Sequence, residues 1–198
     1  RSRMARFRYF PVSYDVVGRT VLVVGDGEQA LQKLRLLVRT QARLVLCSDT
    51  PEPDLARFVD ANDIARAAGE PTAALLGDAA LMVVATGDAA RDARLAALAR
   101  AVRVPVNVVD RPHLCDFATP ALVDRAPVSI AITTDGAAPV LAQLVRARIE
   151  ALLPPGLGRL AALAEGLRAT VLERLPDGAA RRRFWSAVFG GRAAAAAL

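Results

Sequence analysis

The stretch Val21–Val38, VLVVGDGEQALQKLRLLV, constrains this chain more than any other. Val21 to Val24 is a short apolar run of Val and Leu, which reads as a buried strand. Gly25-Asp26-Gly27-Glu28-Gln29-Ala30 follows as a G-x-G-x-x-A turn, and Leu31, Leu34, Leu37 and Val38 then recur at helical spacing. Strand, glycine turn and helix in this order form the setting of a dinucleotide-binding βαβ unit. The first Gly permits the tight turn, the second lets the backbone approach a pyrophosphate, and the small Ala lets the helix pack closely on the strand. The N–H groups at the helix start then face the phosphates. Asp26 and Glu28 bring negative charge to that turn, which weakens phosphate binding unless both point away. A glycine turn of the same shape in a domain without a nucleotide is the alternative.

The rest of the first half repeats the pattern. Arg43–Ser48 reads as a second strand, and Asp49 stands at its end, about twenty residues beyond the glycines. An acid there accepts hydrogen bonds from adenosine ribose hydroxyls and repels a 2′-phosphate, favouring NAD over NADP; it equally suits a turn or helix cap before Pro51. Asp54–Ala68 carries apolar residues on one helical side, and Ala79–Ala85 is the next apolar strand. Thr86-Gly87-Asp88 falls at its carboxyl end, where open α/β sheets bind ligands, and Asp88 also suits the cap of a helix over Ala89–Val102. Val104–Val109 is a further strand, ending at Asp110. This alternation predicts a parallel, doubly wound α/β sheet of the Rossmann type.

Beyond Asp110 the pattern changes, and a boundary is expected near Asp110–Leu114. Ala121–Arg125 and Val128–Thr133 read as short strands, the second alternating like a half-exposed sheet. Helices are expected over Val140–Leu153, Leu157–Leu175 and Ala179–Phe189, separated by Pro154-Pro155-Gly156 and Pro176-Asp177-Gly178. The aromatic residues Phe7, Tyr9 and Phe10 are expected to cover a sheet edge, and Gly190–Leu198 reads as a low-complexity tail or linker.

Composition excludes several classes. The chain of 198 residues is 54% hydrophobic, yet it has no apolar run of about 18 residues, so no membrane span is expected. Its start is basic without an apolar core, unlike a secretory signal. Only Cys47 and Cys115 occur, which argues against a disulfide framework or a zinc site and suits the reducing cytoplasm. The net charge of +6 comes almost wholly from arginine, Lys33 being the sole lysine. It reads either as a solvated Arg-rich surface or as a match to an anionic ligand. Nucleic acid is less favoured, because no reader helix with interleaved aromatics is present.

Asp110 is the candidate acid: a carboxylate partly desolvated at the carboxyl end of a strand can move protons near neutral pH. Starting the turn Asp-Arg-Pro is its alternative role. His113, the only histidine, is as an isolated residue more often structural than catalytic, and Cys115 has no convincing base beside it. The turn Thr133-Thr134-Asp135-Gly136 before Pro139 offers hydroxyls and backbone N–H groups to an anion, or is an ordinary helix start.

Taken together, VLVVGDGEQALQKLRLL, VVATGD, VPVNVVD, DFATPALVDRAPVSIAITTDGAAPVLAQLVRARIEALLP and RRRFW resemble one family. It is the precorrin-2 dehydrogenase/sirohydrochlorin ferrochelatase module of siroheme synthase, and the matching stretches run in family order over nearly the whole chain. The resemblance implies an NAD-binding Rossmann domain over 1–112, a small α+β dimerisation domain over 113–153, a helical tetrapyrrole-side domain over 154–189 and a tail over 190–198. It implies NAD-dependent oxidation of precorrin-2 to sirohydrochlorin, then insertion of Fe2+ as a substrate to give siroheme. A dehydrogenase without the chelatase step and a non-catalytic NAD- or tetrapyrrole-binding sensor are the alternatives.

Asp110 matches the aspartate of the family's NVVD motif, implicated in both steps. Glu28-Gln29, Asp49-Thr50 and Asn107-Val108 fall on its nucleotide contacts, beside Gly25, Gly27 and Thr86. Thr134 stands where several members have a serine near the tetrapyrrole. The substrate is a polycarboxylate, so Arg111, Arg125 and Arg146 are the candidate clamps. No residue cluster suggests a standing metal site, the macrocycle itself being the ligand. The family implies a homodimer. It occurs alone or fused to an S-adenosylmethionine-dependent uroporphyrinogen III methyltransferase, with the Ala-rich tail as the start of a linker.

Overall fold

The computed structural model describes residues 7–191 and 194–195. The chain divides into two compact units, Arg1–Thr119 and Pro120–Leu198. Most of the low-complexity tail, and the basic residues before Phe7, lie outside the described residues.

The first unit is built on β1 (Thr20–Val24), α1 (Glu28–Leu37), β2 (Arg43–Cys47), α2 (Pro53–Ala61), β3 (Ala65–Ala67), α3 (Ala73–Gly77), β4 (Ala79–Val84), α4 (Ala89–Ala101) and β5 (Val106–Val108). All strand pairs are parallel, in the order β3-β2-β1-β4-β5. This is a doubly wound sheet whose order reverses between β1 and β4, and ligands bind at that reversal, outside the carboxyl ends of the strands. β1 is buried throughout, as a central strand covered on both faces must be. Alternate side chains divide between the faces. Val21, Val23, Leu46 and Val83 pack with Ala30, Leu31 and Leu34 of α1 and Leu55 and Val59 of α2. Leu22, Val24, Met82 and Val84 pack with Leu76 of α3 and Leu95 and Ala99 of α4.

One expected helix divides. The segment Asp54–Ala68 gives α2 and then β3, because the helix stops in a Schellman turn. Ile64 donates its N–H to the Val59 carbonyl, and Asp63 stands in the left-handed region at φ +51°. Burial of Ile64 and Val59 in one cluster completes the stop. α3 is likewise unforeseen, a single turn capped by Thr72, whose hydroxyl accepts from the Leu75 N–H. The edge-covering role expected for the N-terminal aromatics is not observed: Phe7 and Phe10 are 84% and 86% exposed. The outer edge of β5 is instead covered by the segment around Asp116. That residue exchanges hydrogen bonds with Val106 through its backbone N–H and one carboxylate oxygen. Covering an edge in this way leaves no open ladder for another chain. The segment therefore belongs with the first unit, and the break between units follows Thr119 rather than falling at Asp110–Leu114.

The second unit opens with an antiparallel hairpin, β6 (Ala121–Arg125) and β7 (Val128–Ile132), followed by α5 (Pro139–Leu152), α6 (Leu157–Arg174) and α7 (Gly178–Gly190). α5 packs on β6 and α6 on β7. Gly158, in the first turn of α6, lies so close to the Arg125 and Ala126 carbonyls that no Cβ fits there. Trp185 stacks on Phe189 one turn along α7.

Candidate functional site

The carboxyl ends of β1, β2, β4 and β5 hold the residues singled out from the sequence. Gly25 donates its N–H to the Cys47 carbonyl, at 3.2 Å, and a Cβ on it would press into the Ala85 carbonyl. Gly27 is the N-cap of α1 and supplies no side-chain hydrogen bond, so no side chain of its own closes the helix end.

The two acids of the turn are both engaged. Asp26 accepts from the Ser48 hydroxyl at 2.5 Å and lies 3.6 Å from the Arg91 guanidinium. Arg91 also pairs with Glu70, which Arg94 holds in turn. Glu28 runs along its own helix to Gln32 and Arg35. A third carboxylate is one that the sequence did not flag. Glu52 donates its backbone N–H to the Asp26 carbonyl at 2.7 Å, and its side chain lies over Gly27. Asp49 and Thr50 are exposed at the end of β2, with Gly69 beside the Asp49 carboxylate.

After β5 the chain turns sharply. The Arg111 N–H bonds the Val108 carbonyl, and Asp110 sits between them at φ +60°, a conformation few residues other than Gly adopt without strain. Its Oδ2 accepts a 2.7 Å hydrogen bond from Gln29 Nε2. The glycine turn and the candidate acid are therefore joined directly. Asp110 is exposed rather than desolvated as the sequence suggested, because the turn lifts it clear of the strand end.

Thr86 and Arg111 meet on a residue that the sequence analysis passed over. Asp92, on α4, is only 1% exposed. It accepts from the Thr86 hydroxyl at 2.6 Å and from Arg111 Nε at 2.8 Å. The buried carboxylate thus uses both oxygens, and Arg111 is turned inward rather than held open as a clamp. Asp88 caps α4 by accepting from the Arg91 N–H at 2.7 Å.

Asn107 and Val108 are buried in β5. Asn107 donates from Nδ2 to the Phe117 carbonyl at 2.9 Å, while its buried Oδ1 has no partner. An orphaned buried acceptor of this kind calls for a donor from outside the chain. The Cys115 thiol is occupied by the backbone of Val108. The Cys47 thiol is pushed up to about 11 by burial. Lys33 was missed as a candidate. It is half-buried on α1 and donates to the Thr119 hydroxyl at 3.2 Å.

In the second unit, Thr134 accepts at Oγ1 from the Ala138 N–H, 3.2 Å away, at the start of α5. Arg125 is half-buried and ties the end of α5 to β6 through the Glu150 and Leu153 carbonyls and the Glu150 carboxylate. It is turned inward, as Arg111 is. Arg146 pairs with the same Glu150 at 2.9 Å and with Gln143, on a more open surface. Among the described residues no three or more His, Cys, Asp or Glu lie together as a metal site, and no helix is long and apolar enough to cross a membrane.

Residues 12–121 match the family described as "Putative NAD(P)-binding". Residues 125–152 match "Sirohaem biosynthesis protein central", and 156–198 match "Sirohaem synthase dimerisation region". The dimerisation description thus falls on 156–198, whereas the sequence reading gave that role to 113–153. The chain is 43% identical over 195 residues to the siroheme synthase of Stutzerimonas stutzeri, covering 96% of this chain and 41% of that protein. It is 40% identical over 183 residues to that of Thioalkalivibrio sulfidiphilus, covering 92% and 37%. The chain therefore spans about two fifths of the length of these curated relatives. The solved structure of SirC, a precorrin-2 dehydrogenase, superposes with a TM-score of 0.72 at 21% identity over 88% of this chain and 86% of that one, a shared fold.

Proposed function

The chain belongs to the siroheme synthase family, and on that premise we propose that it oxidises precorrin-2 to sirohydrochlorin with NAD+ and then inserts Fe2+ to give siroheme. The observation that carries this reading is the Gln29–Asp110 hydrogen bond, which links the glycine turn to the acid after β5.

NAD fits the residues present. Gly25 and Gly27 add no side chain of their own to the turn, and the α1 end offers its N–H groups to a pyrophosphate once the flexible Glu52 side chain over Gly27 swings aside. Glu28, Gln29 and Thr86 follow the carboxyl ends of β1 and β4, Val108 is buried in β5, and Asn107 brings its orphaned buried acceptor. Asp49 and Thr50 stand where ribose hydroxyls are read, and the Asp49 charge disfavours a 2′-phosphate. The chemistry that bound NAD+ supplies is acceptance of a hydride. Asp110 takes up the proton that leaves the substrate: Gln29 holds Oδ2, and Oδ1 remains for the transfer. In the second step the same carboxylate accepts pyrrole N–H protons as Fe2+ enters. The Thr134 hydroxyl and the Arg146 guanidinium contact substrate carboxylates. Arg111 and Arg125 act through the structure instead, each holding a loop or helix end in place.

The test is spectroscopic. Precorrin-2 with NAD+ is expected to give the sirohydrochlorin absorbance, and Fe2+ or Co2+ added afterwards the metallated spectrum. The first change without the second leaves a dehydrogenase alone, and tight binding with neither leaves a sensor. The chain also acts as a homodimer in the cytoplasm on this reading. Its second unit exposes Val140, Leu144 and Leu152 of α5 at 74%, 57% and 80%, more apolar surface than a small unit leaves in water. Sedimentation at micromolar concentration is expected to give the dimer mass, and a monomer would contradict it.

A further inference from the structure

The segment along the outer edge of β5 does more than close the sheet. β5 ends the strand order, so its outer backbone groups meet residues 115–117 rather than another strand. Asp116 bonds Val106 there, and the Phe117 carbonyl accepts from Asn107 Nδ2. Cys115 takes the last place. Its sulfur accepts the Val108 N–H at 3.2 Å. Its S–H proton faces two carbonyls, that of Val108 at 3.2 Å and that of Arg111 at 3.4 Å. Val108 and Arg111 are the two ends of the turn that carries Asp110, and the Arg111 N–H closes that turn on the Val108 carbonyl at 3.2 Å. A single side chain therefore clasps both ends.

The clasp matters because the turn is strained. Asp110 stands at φ +60°, and a residue other than Gly persists there where its surroundings fix it. Asp92 grips the Arg111 side chain, with Nε at 2.8 Å, while the thiol grips the backbone. The same sulfur lies 3.6 Å from Asn107 Nδ2. Asn107 is 6% exposed, and its buried Oδ1 is the acceptor left without a partner. The Asp110 turn and the Asn107 amide thus meet at one sulfur.

We propose that Cys115 is a positioning residue for the oxidation, its thiol holding the turn after β5 so that the Asp110 carboxylate stays in reach of Gln29 and of the substrate. The inference rests on the dehydrogenase reading. Cys115 acts through Asp110, its sulfur being engaged by the backbone both as acceptor and as donor. Size suits sulfur to the task. A serine oxygen lies closer to its own Cβ, and a hydroxyl bonds best at about 2.7–2.8 Å, so serine would hold the same groups loosely. Alanine would leave the buried Val108 N–H without its acceptor.

The test compares Cys115→Ala and Cys115→Ser with Asp110→Asn. Rates are read well below the melting temperature of each variant, which separates lost geometry from lost fold. Cys115→Ala should lose about 10- to 100-fold in kcat, the scale of a small misplacement at the reacting centre, with KM for NAD+ unchanged. Cys115→Ser, which keeps a donor and an acceptor, should recover part of that loss. Beside Asp110→Asn, Cys115→Ala should cost nothing further in kcat, because residues that act as a unit are not additive. If the alanine variant does not fold, the serine variant carries the same comparison. A merely structural cysteine would lower the melting temperature and leave kcat as it was, or would add its loss to that of Asp110→Asn; either result overturns the proposal.

A second measurement needs no substrate. The Gln29 side-chain amide protons, assigned by their loss in Gln29→Glu, report the bond to Asp110 through their chemical shift. In Cys115→Ala they should move toward their position in Asp110→Ala. Shifts that stay as in the unaltered protein would equally overturn the proposal. A chain that fails to oxidise precorrin-2 at all defeats the functional reading instead, and the Gln29 resonances then decide alone whether Cys115 holds Asp110.

Discussion

Asp110→Asn is expected to lower kcat for precorrin-2 oxidation by about 10²- to 10⁴-fold, the usual contribution of a positioned proton acceptor, with NAD+ affinity and melting temperature unchanged. The amide has nearly the shape of the carboxylate. It keeps an oxygen for Gln29 Nε2, and asparagine tolerates φ near +60° as well as aspartate does. What it lacks is the ability to take up a proton. Alanine is the less informative choice, since a Cβ with no polar group in the left-handed region adds about 1–2 kcal/mol of strain to the chemical effect. Initial rates and a thermal melt on the same sample separate the two. Wild-type turnover in the Asn variant would remove Asp110 from the chemistry.

Gly25→Ala should be the most damaging change at the cofactor end. Its methyl group would enter the Ala85 carbonyl, and neither backbone is free to retreat. The Ala85 N–H is bonded to Val24 and the Gly25 N–H to Cys47, so a shift breaks links across three strands. Overpacking of this kind costs about 1–3 kcal/mol. The expected result is a melting temperature lower by roughly 2–4 °C per kcal/mol and NAD+ binding too weak to measure by calorimetry. Retained affinity with unchanged melting would show that the turn has room the geometry denies. Gly27→Ala should be milder, because the nearest obstacle is the flexible Glu52 side chain rather than backbone.

Much of the first unit was legible because buried parallel strands leave continuous apolar runs, and β1, β2, β4 and β5 have them. β3 was not, since Ala65-Arg66-Ala67 favours a helix and becomes a strand only by pairing with β2 after Asp63 has turned the chain. Asp110 was legible from its place after an apolar run. Its partner Gln29 lies 81 residues away along the chain, and no local pattern could reveal their bond. Lys33 escaped notice because one lysine on a helix flank looks like solvent-facing charge. Arg111 and Arg125 looked like clamps because a sequence shows a guanidinium but not the carboxylate or carbonyls it already holds. The worry over Asp26 dissolves for the same reason: its counter-charge, Arg91, is 65 residues on and comes alongside only in the folded sheet.

The Thr86–Asp92–Arg111 network also limits how this sequence can drift. Losing one partner of a buried ion pair costs about 3–5 kcal/mol, a large part of the 5–15 kcal/mol that ordinarily holds a protein folded. Replacing both partners with apolar residues can be nearly neutral. A lineage cannot reach that second state by single steps without passing through a poorly folded ancestor. Positions 92 and 111 are therefore expected to change together among descendants or not at all, and to bind the histories of the loops after β4 and β5 into one.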